Sequence, residues 1–164
     1  MALVGIGNQI NGDDGAGVLI LRILTEMRSM STLNQQLPEQ PQPSPLAQGN
    51  CLLVEAGLAP ENFTGTLRRF QPDLVVLIDA ADMGLPAGEI ACLDWRDAGG
   101  WSASTHTLPL NMVSAYLVSE VGCQVMVLGI QPLQTGMEEP LSQPVERAVA
   151  EIVAGLQEWI KAEN

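Results

Sequence analysis

The stretch Asp73–Ala80, DLVVLIDA, places five consecutive aliphatic side chains between two acids. A strand with one wet face alternates apolar and polar residues, whereas an unbroken aliphatic run suits a strand covered on both faces. Covering both faces takes helices above and below a sheet, and that requirement points to an α/β arrangement. The flanking sequence supplies the parts. Ala2–Ile6 (ALVGI), Cys51–Ala56 (CLLVEA), Glu89–Trp95 (EIACLDW) and Gln124–Ile130 (QVMVLGI) read as further strands. Gly17–Met27 carries Val18, Leu21, Ile23 and Leu24 at helical spacing, and GLAPENFTGTLRRF holds a short helix after Pro60. Pro109–Val121 is helical, and Pro144–Lys161 repeats Val145, Val149, Ile152, Val153, Leu156 and Ile160 with a 3.6-residue rhythm. Strands alternating with helices predict one domain over residues 1–164: α/β, with a twisted, mostly parallel central sheet flanked by helices on both faces.

One segment departs from this pattern. Residues 29–50, including NQQLPEQPQPSP, are too rich in Gln, Pro and Ser to build a core and are expected to form a mobile surface loop. Elsewhere aromatics make up only 4% of the chain against 46% hydrophobic residues, so the core must be mostly Leu, Val, Ile and Ala. A formal charge of −12 repels nucleic acid and anionic membranes, and neither is expected as a partner. No apolar run is long enough to span a bilayer, and the N-terminus lacks the pattern of a secretory signal. Cys51, Cys92 and Cys123 are scattered and form no CxxC pair, which fits buried thiols in a reducing cytoplasm.

In open α/β sheets, functional groups gather beyond the carboxyl ends of the strands. That rule selects Asp14, in the loop after the first strand, Asp79, which ends the central strand, and His106, in SASTHTLP before a helix. The first loop, GIGNQINGDDGAG, looks at first like a phosphate cradle. However, Ile10 occupies the third glycine position of a dinucleotide fingerprint, the loop has no lysine, and Asp13 and Asp14 would repel a pyrophosphate. The acids could simply cap the following helix, since its dipole favours carboxylates there. They could also attract a cation: two carboxylates and an imidazole make an O,O,N set suited to zinc, nickel or a similar divalent ion. His106 is the only histidine, so any imidazole chemistry must use it. There is no G-x-S-x-G elbow and no H-E-x-x-H, which excludes those two hydrolase designs. A pepsin-like dyad of Asp14 and Asp79 sharing a proton remains open.

Five stretches in order, GIGNQINGDDGAG, EAGLAPEN, VVLIDAADMGLPAGEI, THTLPLNMV and VLGIQP, resemble the hydrogenase maturation endopeptidases. THTLPL and GIQP are most similar to the branch serving formate-hydrogenlyase-type hydrogenases. The resemblance implies an α/β fold and hydrolysis of one peptide bond near the C-terminus of a nickel-loaded [NiFe]-hydrogenase large-subunit precursor. It also implies that Asp14, Asp79 and His106 contact nickel supplied by that substrate, either for catalysis or only for recognition. The competing possibility is a nickel-sensing chaperone of the same fold that binds the precursor without cutting it. Among lesser candidates, Asp13 is expected to shape its loop and Asp82 to bond Asp79 or its own loop. Gln131 is expected to finish the turn after its strand, with contact to the substrate tail as the alternative, and Gly5, Gly7, Gly12, Gly15, Gly84 and Gly88 to permit tight turns.

Overall fold

A computed structural model describes residues 1–32, 46–48, 50–96 and 108–162 of the chain. The strands are β1 (Ala2–Ile6), β2 (Leu46–Gln48), β3 (Cys51–Gly57), β4 (Leu74–Ala80), β5 (Ile90–Leu93) and β6 (Gln124–Ile130). The α-helices are α1 (Ala16–Thr32), α2 (Thr64–Phe70), α3 (Leu110–Tyr116) and α4 (Gln143–Ala162). All six strands join one sheet in the order β2-β3-β1-β4-β6-β5. The inner four run parallel, while β2 and β5 pair antiparallel at the two edges.

Side-chain alternation along the inner strands divides the core into two layers. Leu3, Leu53, Val76, Ile78 and Ile130 face α1 and α4, packing on Ile20, Leu21, Leu24, Val149 and Ile152. Ala2, Val4, Leu52, Val75 and Leu77 face the other way, onto Leu67 of α2 and Leu110, Val113 and Leu117 at α3 and the turn that follows it. The run from Val75 to Ile78 is fully buried, as a strand between two helical layers requires. At roughly 25 cal/mol per Å2 of apolar surface, these two layers are the main stabilising term.

Three expectations change in detail. The segment 29–50 is not wholly loop: α1 continues to Thr32, because TEMRSMST contains no helix breaker, and Leu46–Gln48 forms β2. The tight return through Asn50 lets Gln48 pair with Cys51, so β2 covers the outer backbone edge of β3. Residues 33–45 and 49 lie outside the described residues. The helix expected over Pro109–Val121 ends in a wider π turn at Leu117–Val121, closed by Gly122 at φ 76°. Gly5, expected in a turn, lies inside β1, where a Cβ would overlap the Gly17 carbonyl oxygen of α1. Its role is to let helix and strand approach closely.

Cys51 and Cys123 are buried and Cys92 is exposed, all three as free thiols. Burial raises the Cys51 pKa above its ordinary value, against a smaller opposing pull from Arg28, and burial raises that of Cys123 too. Since the thiolate is the nucleophile, one equivalent of Ellman's reagent should react promptly with the native protein and two more only in guanidinium. A second prompt equivalent would contradict the packing around β3 or β6.

Candidate active site

Strand order fixes where a site can form. From β1 the chain crosses to β3 on one side and later to β4 on the other, so the direction of winding reverses between β1 and β4. At such a switch point, loops leaving adjacent strands diverge and open a crevice beyond the carboxyl ends. The loop after β1 and the end of β4 both border it.

The β1 loop is folded down over this crevice. The Gly7 N–H donates to the Gly57 carbonyl (3.1 Å), and the Asn11 N–H to that of Asn8 (3.0 Å). Asn8 Oδ1 accepts the Ile10 N–H at 3.2 Å, a side-chain turn typical of asparagine. A single turn of tighter helix, Gly12–Gly15, then carries both acids into α1. Cβ atoms built on Gly7 and Gly17 would overlap the Asp14 carbonyl oxygen and the Ile78 carbonyl oxygen, respectively. The acidic turn is thus seated directly on the ends of β1 and β4. The absence of two Cβ atoms makes that approach possible.

Asp14 is 1% exposed, and its Oδ2 accepts the Asn8 N–H at 2.8 Å. Asp79 is fully buried at the end of β4, paired in register with Gly129 of β6. Because Gly5 pairs with Ile78, Asp79 is level with the last residue of β1. By strand alternation its side chain continues the face of Val75 and Leu77, the layer containing α3. Asp14 and Asp79 therefore stand beyond and at the carboxyl ends of the neighbouring strands β1 and β4. His106 lies outside the described residues, ahead of α3, which begins at Leu110. Among the described residues, no three His, Cys, Asp or Glu side chains could hold a metal ion. Two carboxylate groups suit a hard or borderline cation, and an imidazole would complete a three-ligand set.

The surrounding rim is electronegative. Loops 7–15, 81–89 and 131–142 contain Asp13, Asp14, Asp82, Glu89, Glu138 and Glu139 but no Lys or Arg. Such a field attracts cations and repels free phosphates. Around it, Gln131 fixes a loop: its Oε1 accepts the Met83 N–H (2.7 Å) and Leu85 N–H (3.2 Å), and its Nε2 donates to Asp82 Oδ1 (3.2 Å). Gln131, expected only to finish the turn after its own strand, thus ties down the loop that follows β4, and Asp82 also accepts the Gly84 N–H within that loop at 3.4 Å. Asp13 is the residue whose role goes furthest beyond the sequence reading. Its carboxylate binds the 133–142 segment, including Ser142, a residue that sequence reasoning did not single out. A serine just ahead of a helix is a recognisable cap signal. Its partner 129 positions earlier is not legible in the sequence.

A family model described as HycI, hydrogenase maturation protease, matches residues 27–159. The hydrogenase 3 maturation protease of Escherichia coli K12 is 35% identical over 158 residues, which span 96% of this chain and 88% of that protein. The crystal structure of a [NiFe] hydrogenase maturation protease HycI from Thermococcus kodakarensis KOD1 superposes with a TM-score of 0.79 at 30% identity, covering 98% of this chain and 91% of that one. The solution structure of an endopeptidase HycI from Escherichia coli gives a TM-score of 0.76 at 32% identity, with 96% and 89% covered.

Proposed function

The chain belongs to the hydrogenase maturation protease family and is an endopeptidase, and from that premise we propose that it removes the C-terminal extension of a nickel-loaded [NiFe]-hydrogenase large-subunit precursor. The observation that carries this reading is the pair of buried carboxylates, Asp14 and Asp79, at the β1–β4 crevice. Nickel enters as part of the substrate. Asp14, Asp79 and His106 are proposed to engage it through two oxygens and a ring nitrogen. A divalent ion so held can polarise a carbonyl or lower the pKa of a water.

The chain's own residues do the rest. Asp14, bonded to the Asn8 N–H, and Asp79, fixed in the β4–β6 ladder, need little reorganisation when substrate arrives. The reaction adds water across one peptide bond: the water oxygen bonds to the carbonyl carbon, the C–N bond breaks, and the leaving amine gains a proton. Ile10, Leu133 and Met137 are exposed on the rim loops, and exposed aliphatics beside a crevice suit an extended apolar peptide. No helix among the described residues is long and apolar enough to cross a membrane. The free thiols fit action in the cytoplasm.

The test is incubation of purified precursor with the protein, with and without nickel loading, followed by mass spectrometry. One new C-terminus from the loaded precursor alone is expected. Equal cleavage of nickel-free precursor would remove the metal from the reading, and binding without any mass loss would leave a chaperone. In the same assay His106→Ala should lose cleavage at an unchanged melting temperature. Full activity in that variant would exclude the imidazole.

A further inference from the structure

We infer that Asp13 is a positioning residue for the cleavage reaction: its buried carboxylate fastens the acidic loop to the 133–142 segment and so fixes where Asp14 stands. The inference rests on the reading of Asp14 as part of the site. Asp13 is fully buried, and among the described residues no Lys or Arg meets its charge. Four donors do so instead. Oδ2 accepts the N–H groups of Leu133 (2.8 Å) and Gln134 (3.0 Å) and the hydroxyl of Ser142 (2.8 Å), while Oδ1 accepts the Ser142 N–H (2.6 Å). The two segments are also joined by backbone: the Asp13 N–H donates to the Gln134 carbonyl (2.9 Å), and the Glu138 N–H to that of Ile10 (2.7 Å).

A side chain that accepts at both oxygens fits this arrangement. Every partner can donate, and three are backbone N–H groups that cannot reverse their role. An asparagine must aim its NH2 either at the Ser142 N–H or at those of Leu133 and Gln134. Whichever way it turns, two donors face each other in a buried space, and one segment must move. Asp13 and Asp14 are neighbours in one turn of helix, held from the other side by the Asp14 N–H donating to the Asn11 carbonyl at 3.1 Å. A displacement of Asp13 is therefore passed to Asp14 through a single planar peptide. Misplacement of a reacting group by about 1 Å can cost on the order of a hundredfold in rate.

The experiment compares Asp13→Asn, Ser142→Ala and Ser142→Thr with the unaltered chain on purified nickel-loaded precursor. Assays run about 20 °C below each variant's melting midpoint, with folding checked by near-UV circular dichroism. Asp13→Asn is expected to lower kcat by about ten- to a hundredfold while KM moves less than about threefold, and to speed amide exchange at Leu133 and Gln134. A merely structural role would lower the midpoint and leave kcat of the folded protein intact. A kcat within about twofold of the unaltered chain would therefore overturn the inference. Should Asp13→Asn fail to fold, the serine pair decides. Ser142→Ala should lower kcat and Ser142→Thr, which keeps the hydroxyl, should restore it; an unchanged Ser142→Ala or an unrestored Ser142→Thr overturns the inference. Asp14→Asn run alongside separates the two claims. If it cleaves normally, the site reading fails; if it is inactive while Asp13→Asn is normal, the positioning role alone fails.

Discussion

Replacing Asp79 with asparagine should slow cleavage of the loaded precursor by about a hundred- to ten-thousandfold, while the melting temperature moves by only a few degrees. The amide has the shape of the carboxylate, and the backbone of residue 79 is held by its neighbours on β6 whatever its side chain. Folding therefore loses little. Chemistry loses the negative charge that suits a cation or accepts a proton, and removal of a positioned acid or base typically costs about a hundred- to ten-thousandfold. Asp14→Asn should behave alike, because an amide oxygen can still accept the Asn8 N–H that Oδ2 now accepts. Initial rates from released-peptide mass, set beside thermal melts, check both variants. A folded Asp79→Asn protein that cuts within about tenfold of normal would show that the carboxylate at the end of β4 is not part of the machinery. Loss of folding instead would mean that the charge is needed to hold the crevice together.

The position of Asp79 was legible because burial on both faces leaves an unmistakable local signature. DLVVLIDA marks its own strand, its polarity and its carboxyl end, and the α/β alternation then places Asp14 at the same rim. The stripe on α4 was equally plain, with Val145 through Ile160 buried as its rhythm implies. Other features depend on pairings that no local pattern records. Leu46–Gln48 sits beside a stretch that cannot make a core, so its pairing with β3 had no periodic signal. Gly5 looks like loop glycine in sequence, yet the helix packed upon it determines its use. The bonds from Asp13 to Ser142 link opposite ends of the chain: that Asp13 shapes its loop was expected, but nothing local names the serine it fastens to. The sequence and the family resemblance nominate Asp14 for the site and Asp13 for the loop; the assembled fold adds what Asp13 is fastened to.

That division depends on a backbone too tight for a side chain, which makes Gly7→Ala the most damaging small substitution expected. Gly7 follows β1 at φ 124°, a conformation that L residues rarely adopt, and strain of this kind costs about 1–3 kcal/mol. Alanine brings a second fault there, because its Cβ would overlap the Asp14 carbonyl oxygen, a backbone atom that cannot simply rotate away. The combined penalty should reach about 3–5 kcal/mol, a range reserved for core or backbone disruption. In a domain of this size each kcal/mol lowers the melting midpoint by about 2–4 °C, so a fall of roughly 6–20 °C is expected. The loop that relieves the overlap carries Asp14 with it, so folded Gly7→Ala should also cleave at least about a hundredfold more slowly. Gly57→Ala is the matching control. Gly57 also has a left-handed backbone, at φ 61°, but a Cβ there meets nothing within 4 Å. It should cost only about 1–2 kcal/mol, the penalty of the backbone conformation alone, and leave the rate nearly unchanged. Thermal melts and initial rates for the two variants, side by side, separate conformational strain from steric overlap. Equal midpoints and equal rates would mean that the acidic turn does not press on the end of β1 and that Asp14 is held there by something else.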